Sequence, residues 1–302
     1  METVTGFDQV EDVERAFAER GYLADRDLAT AVFLSVRLER PLFLEGEAGV
    51  GKTSVAQTLA LATGGQLIRL QCYEGIDTAT ALYEWNYPRQ MLEIRLLEAR
   101  GDGKRAQARD IFSEAFLLKR PLLRALETTS GPPPVLLIDE VDRADEEFEA
   151  LLLELLADYA VTVPEIGTLQ AIIKPRVILT SNRTREVHDA LKRRCFYHWI
   201  DYPGFDRELS IVHARLPDVS DRLANDVVAF VQRLRSTELS KIPGIAETLD
   251  WAAALTTLGA SRLTAADIDR TLGVLLKYQE DVSRMKGSAS QTLLSEVSQG
   301  PR

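Results

Sequence analysis

An eight-residue segment in the first quarter of the chain has the composition of a loop that binds phosphate groups. Residues 46–53 read GEAGVGKT and match the pattern G-x-x-x-x-G-K-[ST]. Glycine at the fixed positions lets the backbone turn its N–H groups inward around phosphate oxygens. Lys52 supplies a positive charge for the β- and γ-phosphates, and the Thr53 hydroxyl is placed to bind Mg²⁺. The pattern predicts a P-loop, with ATP and Mg²⁺ as its ligands.

The flanking residues support this interpretation. A short apolar strand, PLFLEG, leads into the loop, and the segment after Lys52 has the apolar spacing of a helix. The phosphates would therefore lie at a helix N-terminus, which favours anions. The alternative is an ordinary Gly-rich turn, and the strand and helix around it argue against that. We expect these residues to contact the nucleotide: Gly46, Glu47, Ala48, Gly49, Val50, Gly51, Lys52, Thr53 and Ser54.

A second motif consists of an apolar strand that ends in two acidic residues. Residues 135–140 read VLLIDE. Asp139 would meet Mg²⁺ beside Thr53, directly or through water, and Glu140 would act as the general base on the attacking water. An apolar strand that runs into an acidic turn is common without any chemistry. Downstream of a matched P-loop we favour the catalytic interpretation.

Two later motifs add polar residues close to strand ends. The apolar run RVILTSN ends at Asn182, whose amide can hydrogen-bond the γ-phosphate or the attacking water, although Asn also often closes strands. The segment ALKRRC places Arg193 and Arg194 before the last apolar run. Adjacent arginines usually form a solvated face. In an ATPase that forms rings, an arginine here would reach the γ-phosphate held by the neighbouring subunit. We favour Arg194 for that role, with Arg193 as the alternative.

The elements that must position these residues follow an α/β pattern. Short, nearly continuous apolar runs alternate with amphipathic segments of helical spacing. Such runs suit strands that are covered on both faces, so we expect a parallel sheet between helices. The runs are residues 41–46, 67–73, 134–140, 176–182 and 196–202.

Two insertions interrupt the alternation. Residues from about 78 to 130 lack a strand pattern and are predicted to be helical, with a turn at GDGK, residues 101–104. Residues at about 161–171, VTVPEIGTLQA, are predicted to form two short strands around a turn that contains Gly167.

The strand signal fades after residue 205. Helical spacing dominates beyond it, so we predict an α/β nucleotide-binding domain at 1–205 and an all-helical domain at 206–285. The tail at 286–302 is rich in Ser, Gln and Gly and is predicted to be disordered.

Composition limits the classes of function. The chain has 302 residues, of which 45% are hydrophobic and 27% charged, as in globular proteins. It has no apolar run of membrane-spanning length and no signal-peptide pattern at its N-terminus, so we expect a cytoplasmic protein without a membrane partner. A net charge of −10 argues against a broad nucleic-acid surface, which needs clustered Lys and Arg. The cysteines and histidines lack metal-binding spacing and are interpreted as structural.

The order of the motifs along the chain resembles that in the core of an AAA+ ATPase. The motifs are GEAGVGKT, VLLIDE, LTSN and ALKRRC, and helical segments follow them. The predicted hairpin and the helical segment before VLLIDE resemble the MoxR branch. The stretches LQCYEGIDTATALYEWNYPRQM, FEALLLELLADYAVTVPEIGT and ILTSNRTREVHDALKRRCFYHWIDYP are similar to the CoxD-like subgroup, named after the carbon monoxide dehydrogenase maturation ATPase. The similarity covers roughly residues 10 to 280. It implies a three-layer αβα core with a helical insertion and a pre-sensor hairpin, followed by a helical lid.

The resemblance also implies an activity and partners. Such ATPases form hexameric rings and act as chaperones, often with a von Willebrand factor A-type partner, and they help to mature metal centres. This chain would therefore hydrolyse ATP in a Mg²⁺-dependent reaction and would assist a metalloenzyme client of the molybdenum hydroxylase type, such as carbon monoxide dehydrogenase. In the same resemblance, Tyr22 and Leu23 would contact the adenine base.

One departure from the family pattern concerns the lid. AAA+ lids usually present an arginine to the nucleotide, but here the segment KIPGIAETLDWA has Glu247 and Thr248 at the expected place. Lys241 and Arg262 are the nearby cations. The contribution of the lid to hydrolysis is therefore open.

Three other functions fit parts of the sequence. A DNA-directed AAA+ motor or clamp loader is disfavoured by the charge of −10 and by the lack of a recognisable nucleic-acid module. A GTPase or small-molecule kinase is disfavoured because TSNRTRE does not supply the guanine-reading N-K-x-D motif, and because the Asp-Glu pair favours water as acceptor. A scaffold that binds ATP but barely hydrolyses it is compatible with the unusual lid.

Overall fold

The structure is a computed structural model that describes residues 6–99, 111–164 and 166–298. The predicted turn at 101–104 lies outside these residues. Backbone contacts divide the chain into two units, which group segments that are distant in sequence. The first unit comprises the chain up to Ala16, Asp25–Glu45 and Thr53–Trp199, and the second comprises Phe17–Ala24, Gly46–Lys52 and the chain from Ile200 onward. The predicted domain boundaries stay predictions.

Strands and helices alternate through the first two thirds of the described chain, and helices follow alone after it. The strands are β1 Leu42–Gly46, β2 Leu67–Gln71, β3 Tyr83–Trp85, β4 Leu117–Lys119, β5 Val135–Asp139, β6 Ala160–Val163, β7 Gly167–Gln170, β8 Arg176–Ser181 and β9 Phe196–Ile200. The α-helices are α1 Val10–Ala18, α2 Arg26–Arg37, α3 Lys52–Thr63, α4 Thr78–Ala81, α5 Tyr87–Ala99, α6 Pro121–Leu126, α7 Glu146–Asp158, α8 Asp189–Arg194, α9 Phe205–Arg215, α10 Asp221–Arg235, α11 Ile245–Thr257, α12 Ala265–Leu275, α13 Gln279–Met285 and α14 Ser288–Ser298.

The central sheet has five strands in the order β2-β5-β8-β1-β9. Strand β5 lies between β2 and β8 and runs parallel to both, with Leu70 opposite Ile138 and Ile138 opposite Leu179. Every residue of β1 and β5 is buried, which is why these strands are mainly apolar rather than alternating. The polar exceptions are Glu45 and Asp139, close to the ends of the two strands. The predicted α/β class with a parallel sheet is confirmed.

Two helices of the first unit begin at aspartates whose side chains satisfy free N–H groups of the first turn. The Asp25 carboxylate accepts from the N–H of Leu28 at 2.7 Å at the start of α2. The Asp145 carboxylate accepts from the N–H of Phe148 at 2.9 Å at the start of α7, whose first turn is acidic. Both the cap and the acidic first turn stabilise a helix N-terminus. The start of α7, directly after the VLLIDE motif, is thereby fixed.

The two insertions contain small antiparallel sheets. Strands β6 and β7 pair as the predicted hairpin, although Gly167 is the first residue of β7, with φ of 106°, rather than part of the turn. The prediction that residues 78–130 contain no strand was wrong, because β3 and β4 pair within them. Each of these strands has only three residues, too few for an alternating pattern to be visible in the sequence.

The second unit is helical from Phe205 onward. Helices α10, α11 and α12 enclose a core in which Phe230 and Trp251 are fully buried. The buried Arg235 side chain makes two hydrogen bonds to Glu208, at 2.6 and 2.7 Å. The predicted all-helical region after the sheet is confirmed.

The C-terminal tail differs from its prediction. Residues 286–302 were expected to be disordered, but Ser288–Ser298 form helix α14. Its Leu293 is buried, and its Ser290 hydroxyl donates to Asp269 at 3.3 Å. The apolar residues of a polar segment therefore suffice to pack it against neighbouring helices. Within the described residues no helix is both long enough and apolar enough to cross a membrane.

Candidate functional site

The loop between β1 and α3 has the backbone that its glycines predict. Gly49 and Gly51 have φ values of 79° and 96°, a region in which a β-carbon is strained. The Lys52 ammonium donates to the backbone oxygens of Gly46 at 2.7 Å and Glu47 at 2.6 Å, and it is almost completely buried. The loop is therefore folded around the ammonium that would bind phosphate.

The two residues predicted to contact adenine lie in the same unit as the loop. A β-carbon at Gly51 would lie 3.6 Å from Cε2 of Tyr22, whose ring packs edge-on against Phe17. The Leu23 carbonyl accepts from the Arg207 guanidinium at 3.0 Å. Tyr22 is thus beside the P-loop, and the adenine contacts of Tyr22 and Leu23 stay predictions.

Helix α11 begins directly on the P-loop. The N–H of Ile245 donates to the Gly49 carbonyl at 3.0 Å. A β-carbon at Gly244 would lie 2.8 Å from the Cα of Gly49, so only glycine allows this approach. The Glu247 carboxylate accepts from the N–H of Gly244 at 2.9 Å, as in a capping box. At the place where the sequence resemblance suggests an arginine, the carboxylate of Glu247 caps the helix that begins on the loop.

A buried arginine in the helical region was not predicted from the sequence. Lys241 and Arg262, the two cations named as nearby candidates, are exposed. Arg235 is buried instead, and its partner Glu208 also accepts from the Thr248 hydroxyl at 2.7 Å. This network explains Thr248 as a structural residue. An arginine at a helix C-terminus gives no signal in the sequence that separates it from surface arginines.

The carboxylate of Asp139 lies at the end of β5 and accepts hydrogen bonds from three side chains. The hydroxyls of Thr53 and Thr180 donate to Oδ1 at 3.0 and 2.6 Å. The Arg69 guanidinium donates to Oδ2 through Nε at 3.0 Å and Nη2 at 2.6 Å. Only 3% of Asp139 is exposed, so these donors, rather than water, stabilise its negative charge.

The neighbouring Glu140 is held differently. Its backbone has φ of 56°, which is uncommon for a residue with a side chain, and its N–H donates to the Thr180 hydroxyl at 2.9 Å. Its carboxylate accepts from the Asn182 amide at 3.1 Å and from the Gln71 amide at 3.0 Å, and it forms an ion pair with Arg143 at 3.0 Å. The Glu140 side chain is partly exposed, as a general base that meets water must be.

A third carboxylate fixes the segment after β8. Buried Asp142 accepts from the N–H of Asn182 at 3.2 Å and from the N–H and hydroxyl of Thr184 at 2.8 and 2.7 Å. The structure therefore brings Asn182 to Glu140, as its position after a strand suggested. Its contact with a γ-phosphate stays a prediction.

The electrostatic field at these strand ends is negative. Burial, and then the charges of Asp139, Asp142 and Glu140, raise the pKa of the neighbouring Cys72 thiol to about 12. Cys72 is consequently a neutral thiol near pH 7, which agrees with a structural role. A negative field attracts a divalent cation.

Arg193 and Arg194 at the end of α8 differ in their surroundings. Arg193 is 82% exposed, and its guanidinium lies 3.9 Å from the Asp189 carboxylate. Arg194 hydrogen-bonds the backbone carbonyl of Leu153 in α7. Arg193 is therefore the freer of the two to reach another molecule, although which one acts on a neighbouring subunit stays a prediction.

Five contributors to this cluster were not anticipated, namely Arg69, Gln71, Asp142, Arg143 and Thr180. Arg69 and Gln71 are alternate residues of β2, so their side chains leave the same face of the strand. Gln71 lies opposite Asp139 in the sheet register. Polar residues on one face of an otherwise apolar strand were the available signal.

The donor atoms fit Mg²⁺, the metal that the P-loop pattern predicts. Thr53 and Asp139 offer hydroxyl and carboxylate oxygens, the hard ligands that Mg²⁺ prefers. They already contact one another at 3.0 Å. The Arg69 guanidinium on Oδ2 is a competing cation at the same carboxylate.

Fold and site together define a P-loop nucleotide-binding protein of the parallel α/β class. Residues 41–195 match the AAA domain of the dynein-related subfamily. This match covers more than half of the 302 residues, and the chain belongs to that family. Family membership implies ATPase activity.

Individual proteins are more distantly similar. An uncharacterised protein of Staphylococcus aureus is 24% identical over 206 residues, which cover 66% of this chain and 70% of that protein. The RuvB Holliday junction branch migration motor of Thermotoga maritima is 18% identical with a TM-score of 0.43, over 88% of this chain and 66% of that chain. A RuvB variant from the same organism is 17% identical with a TM-score of 0.49, over 100% and 82%.

Proposed function

We propose that this protein is an ATP-hydrolysing AAA+ chaperone of the MoxR branch, closest to the CoxD-like subgroup, that remodels or matures a metalloenzyme. The proposed client is a molybdenum hydroxylase such as carbon monoxide dehydrogenase. The proposal combines the family, the strand-end carboxylates and the long CoxD-like stretches of the sequence. It extends to a hexameric ring and to a von Willebrand factor A-type partner, which the resemblance implies.

The observation that carries hydrolysis is the pairing of two adjacent carboxylates with different surroundings. Asp139 is buried and bound by the Thr53 and Thr180 hydroxyls, whereas Glu140 is partly exposed beside the Asn182 amide. Such a division suits one carboxylate that serves a metal site and one that accepts a proton.

The roles follow from these positions. The loop N–H groups and Lys52 would bind the phosphates, and Thr53 and Asp139 would hold Mg²⁺. Held by these two residues, Mg²⁺ would supply positive charge that offsets the charge of the phosphates. Glu140 would accept a proton from the attacking water, and Asn182 would orient that water.

A second copy of the chain would complete the site by contributing an arginine. Arg193 is highly exposed at the end of α8, and Arg194 follows it. One of these arginines would stabilise the transition-state charge on the γ-phosphate held by the neighbouring subunit. A monomer would then bind ATP well and hydrolyse it slowly.

A nucleotide-gated scaffold with little turnover is a second candidate, and one observation favours it. The Glu140 carboxylate is engaged by Gln71, Asn182 and Arg143, and Asp139 is engaged by Arg69. If those contacts persist when ATP binds, Glu140 is not free to act as a base.

A trap variant tests the proposal. Glu140→Gln should retain ATP, assemble into rings visible by mass photometry, and capture a molybdenum hydroxylase in a pull-down. Glu154→Gln, an exposed carboxylate on α7, is the matched control and should turn over ATP and release the client. Rings that form in both variants without client capture would contradict the chaperone assignment.

A second arm separates a chaperone from a DNA motor. The rate of ATP hydrolysis is compared with added DNA and with added apo-molybdenum hydroxylase. We expect the apo-molybdenum hydroxylase to raise the rate of ATP hydrolysis and DNA to leave it unchanged. Stimulation by DNA alone would favour the motor.

A further inference from the structure

A cavity of about 260 Å³ opens at the amino ends of the central strands, at the opposite end of β5 and β8 from Asp139 and Glu140. Residues at the starts of β5 and β8 line it, including Pro133 and Arg176, together with the end of α2. Its aromatic lining residues are Phe7 and Tyr159, the latter directly after α7. All of these residues belong to the first unit.

The lining is strongly basic. Four cationic side chains, those of Arg37, Arg40, Lys174 and Arg176, surround the cavity, against the single carboxylate of Glu39. The Lys174 ammonium lies 3.1 Å from that carboxylate. This concentration of positive charge is unusual in a chain whose net charge is −10.

Two of the cations, those of Arg40 and Lys174, make contacts within the fold. The Arg40 guanidinium donates to the Arg193 carbonyl at 3.0 Å and lies over the Phe196 ring at 4.8 Å. The Lys174 ammonium lies 5.8 Å from the centre of the Tyr159 ring. Burial lowers the pKa of Arg176, although a guanidinium stays charged in proteins. Fixed cations lose less conformational freedom when they bind a ligand.

The backbone is also strained at this cavity. Among the described residues, four that are not glycine have positive φ, and they divide equally between the two ends of the sheet. Glu140 and Arg183 lie at the carboxyl end, while Glu39, with φ of 51°, and Tyr159, with φ of 50°, line the cavity. Left-handed backbone at residues with side chains concentrates at functional sites.

We propose that this cavity, lined by Arg37, Arg40, Lys174 and Arg176, binds a small multivalent oxyanion. Guanidinium groups match phosphate and carboxylate oxygens in bidentate geometry. The volume lies just below the range for drug-sized ligands, which suits a ligand of the size of pyrophosphate or citrate. The P-loop is a separate anion site, so the two can be tested independently.

The test is isothermal titration calorimetry with pyrophosphate and with citrate. The full chain is used with Lys52→Ala, which removes the phosphate-binding ammonium of the P-loop. In that background Arg37→Gln and Lys174→Gln are added together, because both side chains are exposed. Arg95→Gln with Arg222→Gln, two exposed arginines elsewhere, changes the net charge equally and is the matched control.

We expect at least one of the two anions to bind to the Lys52→Ala protein. Its affinity should fall about tenfold or more in the cavity variant, since each charge-assisted hydrogen bond contributes substantially, and should stay within about twofold in the control. Binding of pyrophosphate alone assigns phosphate chemistry, and binding of citrate alone assigns carboxylates. No binding of either anion overturns the proposal, and so does equal weakening in the control variant. Circular dichroism of each variant confirms that the fold is retained.

Discussion

The two ends of the central sheet differ in charge and in how far their charged residues can be predicted from the sequence. At the carboxyl ends of β5 and β8, Asp139, Glu140 and Asp142 are surrounded by hydrogen-bond donors. At the amino ends, Arg40 and Arg176 line a basic cavity. In a parallel sheet, residues from separate strands gather at each end, so one scaffold holds two clusters of charged residues. Only the carboxyl end carries contiguous sequence motifs.

The largest effect that separates the two ends should come from Asp139→Asn. The change removes the charge that faces Thr53 and Arg69, so the rate of ATP hydrolysis should fall roughly 10²–10³-fold. The measurement is phosphate release at saturating ATP. The control is Asp158→Asn, at the exposed last residue of α7, which should leave the rate within about twofold. If Asp139→Asn hydrolysed ATP at the natural rate, the carboxyl end of the sheet would not be the catalytic site.

Thr180→Val should have the next largest effect, on stability. The Thr180 hydroxyl donates to Asp139 and accepts from the N–H of Glu140, and it is 1% exposed. Removing it leaves buried polar groups unsatisfied, so the free energy of unfolding in urea should fall by about 1–3 kcal/mol. The control is Thr162→Val, whose hydroxyl makes an exposed contact in the β6–β7 hairpin. Equal losses in the two variants would show that the network at the strand ends is not special.

Arg69→Gln should have a smaller effect, on the metal requirement. The Arg69 guanidinium is 50% exposed and occupies the Asp139 oxygen Oδ2. Without this competing cation, the Mg²⁺ concentration for half-maximal binding of a fluorescent ATP analogue should fall by a few-fold to about tenfold. Arg95→Gln serves as the control. A higher Mg²⁺ requirement in Arg69→Gln would mean that Arg69 positions Asp139 rather than competing for it.

The smallest effect belongs to the amino end, at Tyr159. Burial raises the pKa of its hydroxyl to about 12, from an ordinary value near 10. The folded protein then holds the proton more tightly than the unfolded chain, so this contribution to stability is present below about pH 10 and is lost as the pH rises toward 12.

Tyr159→Phe tests that difference. Its unfolding free energy should depend less steeply on pH between about 10 and 12 than that of the natural protein. Near pH 7 the loss should be about 0.5–1.5 kcal/mol, because the hydroxyl donates to the Glu39 carbonyl at 3.2 Å. Exposed Tyr278→Phe is the control. An unchanged alkaline slope would place Tyr159 in contact with solvent.

The same contrast explains what the sequence could reveal. GEAGVGKT and VLLIDE are continuous, and each implies a strand with a candidate functional residue at its end, so the roles of the P-loop, Asp139 and Glu140 could be predicted directly. The role of Asn182 was predicted by the same reasoning. The structure places its side chain at Glu140.

Residues whose position depends on the register of neighbouring strands could not be found in this way. Arg69 and Thr180 reach Asp139 only because β2, β5 and β8 are adjacent. The basic cavity likewise assembles from the starts of separate strands and the end of α2. No segment of the sequence contains enough of either set to form a motif.

Local patterns also misled where packing decided the structure. The polar composition of the tail predicted disorder, yet Leu293 is buried in the helical unit. Glu247 stands where family resemblance suggests an arginine, and it caps α11 on the P-loop. In these two places the structure was decided by the burial of one apolar side chain and by a helix cap. Neither composition nor resemblance predicted it.

We propose that ATP is hydrolysed at the carboxyl end of the sheet, with Glu140 as the general base. The most direct measurement is single-turnover hydrolysis of radiolabelled ATP by Glu140→Gln, together with ATP affinity. We predict affinity within about twofold of the natural protein and hydrolysis slower by about 10²–10⁴-fold, the contribution of a general base. Hydrolysis at the natural rate, with ATP bound normally, would contradict the assignment.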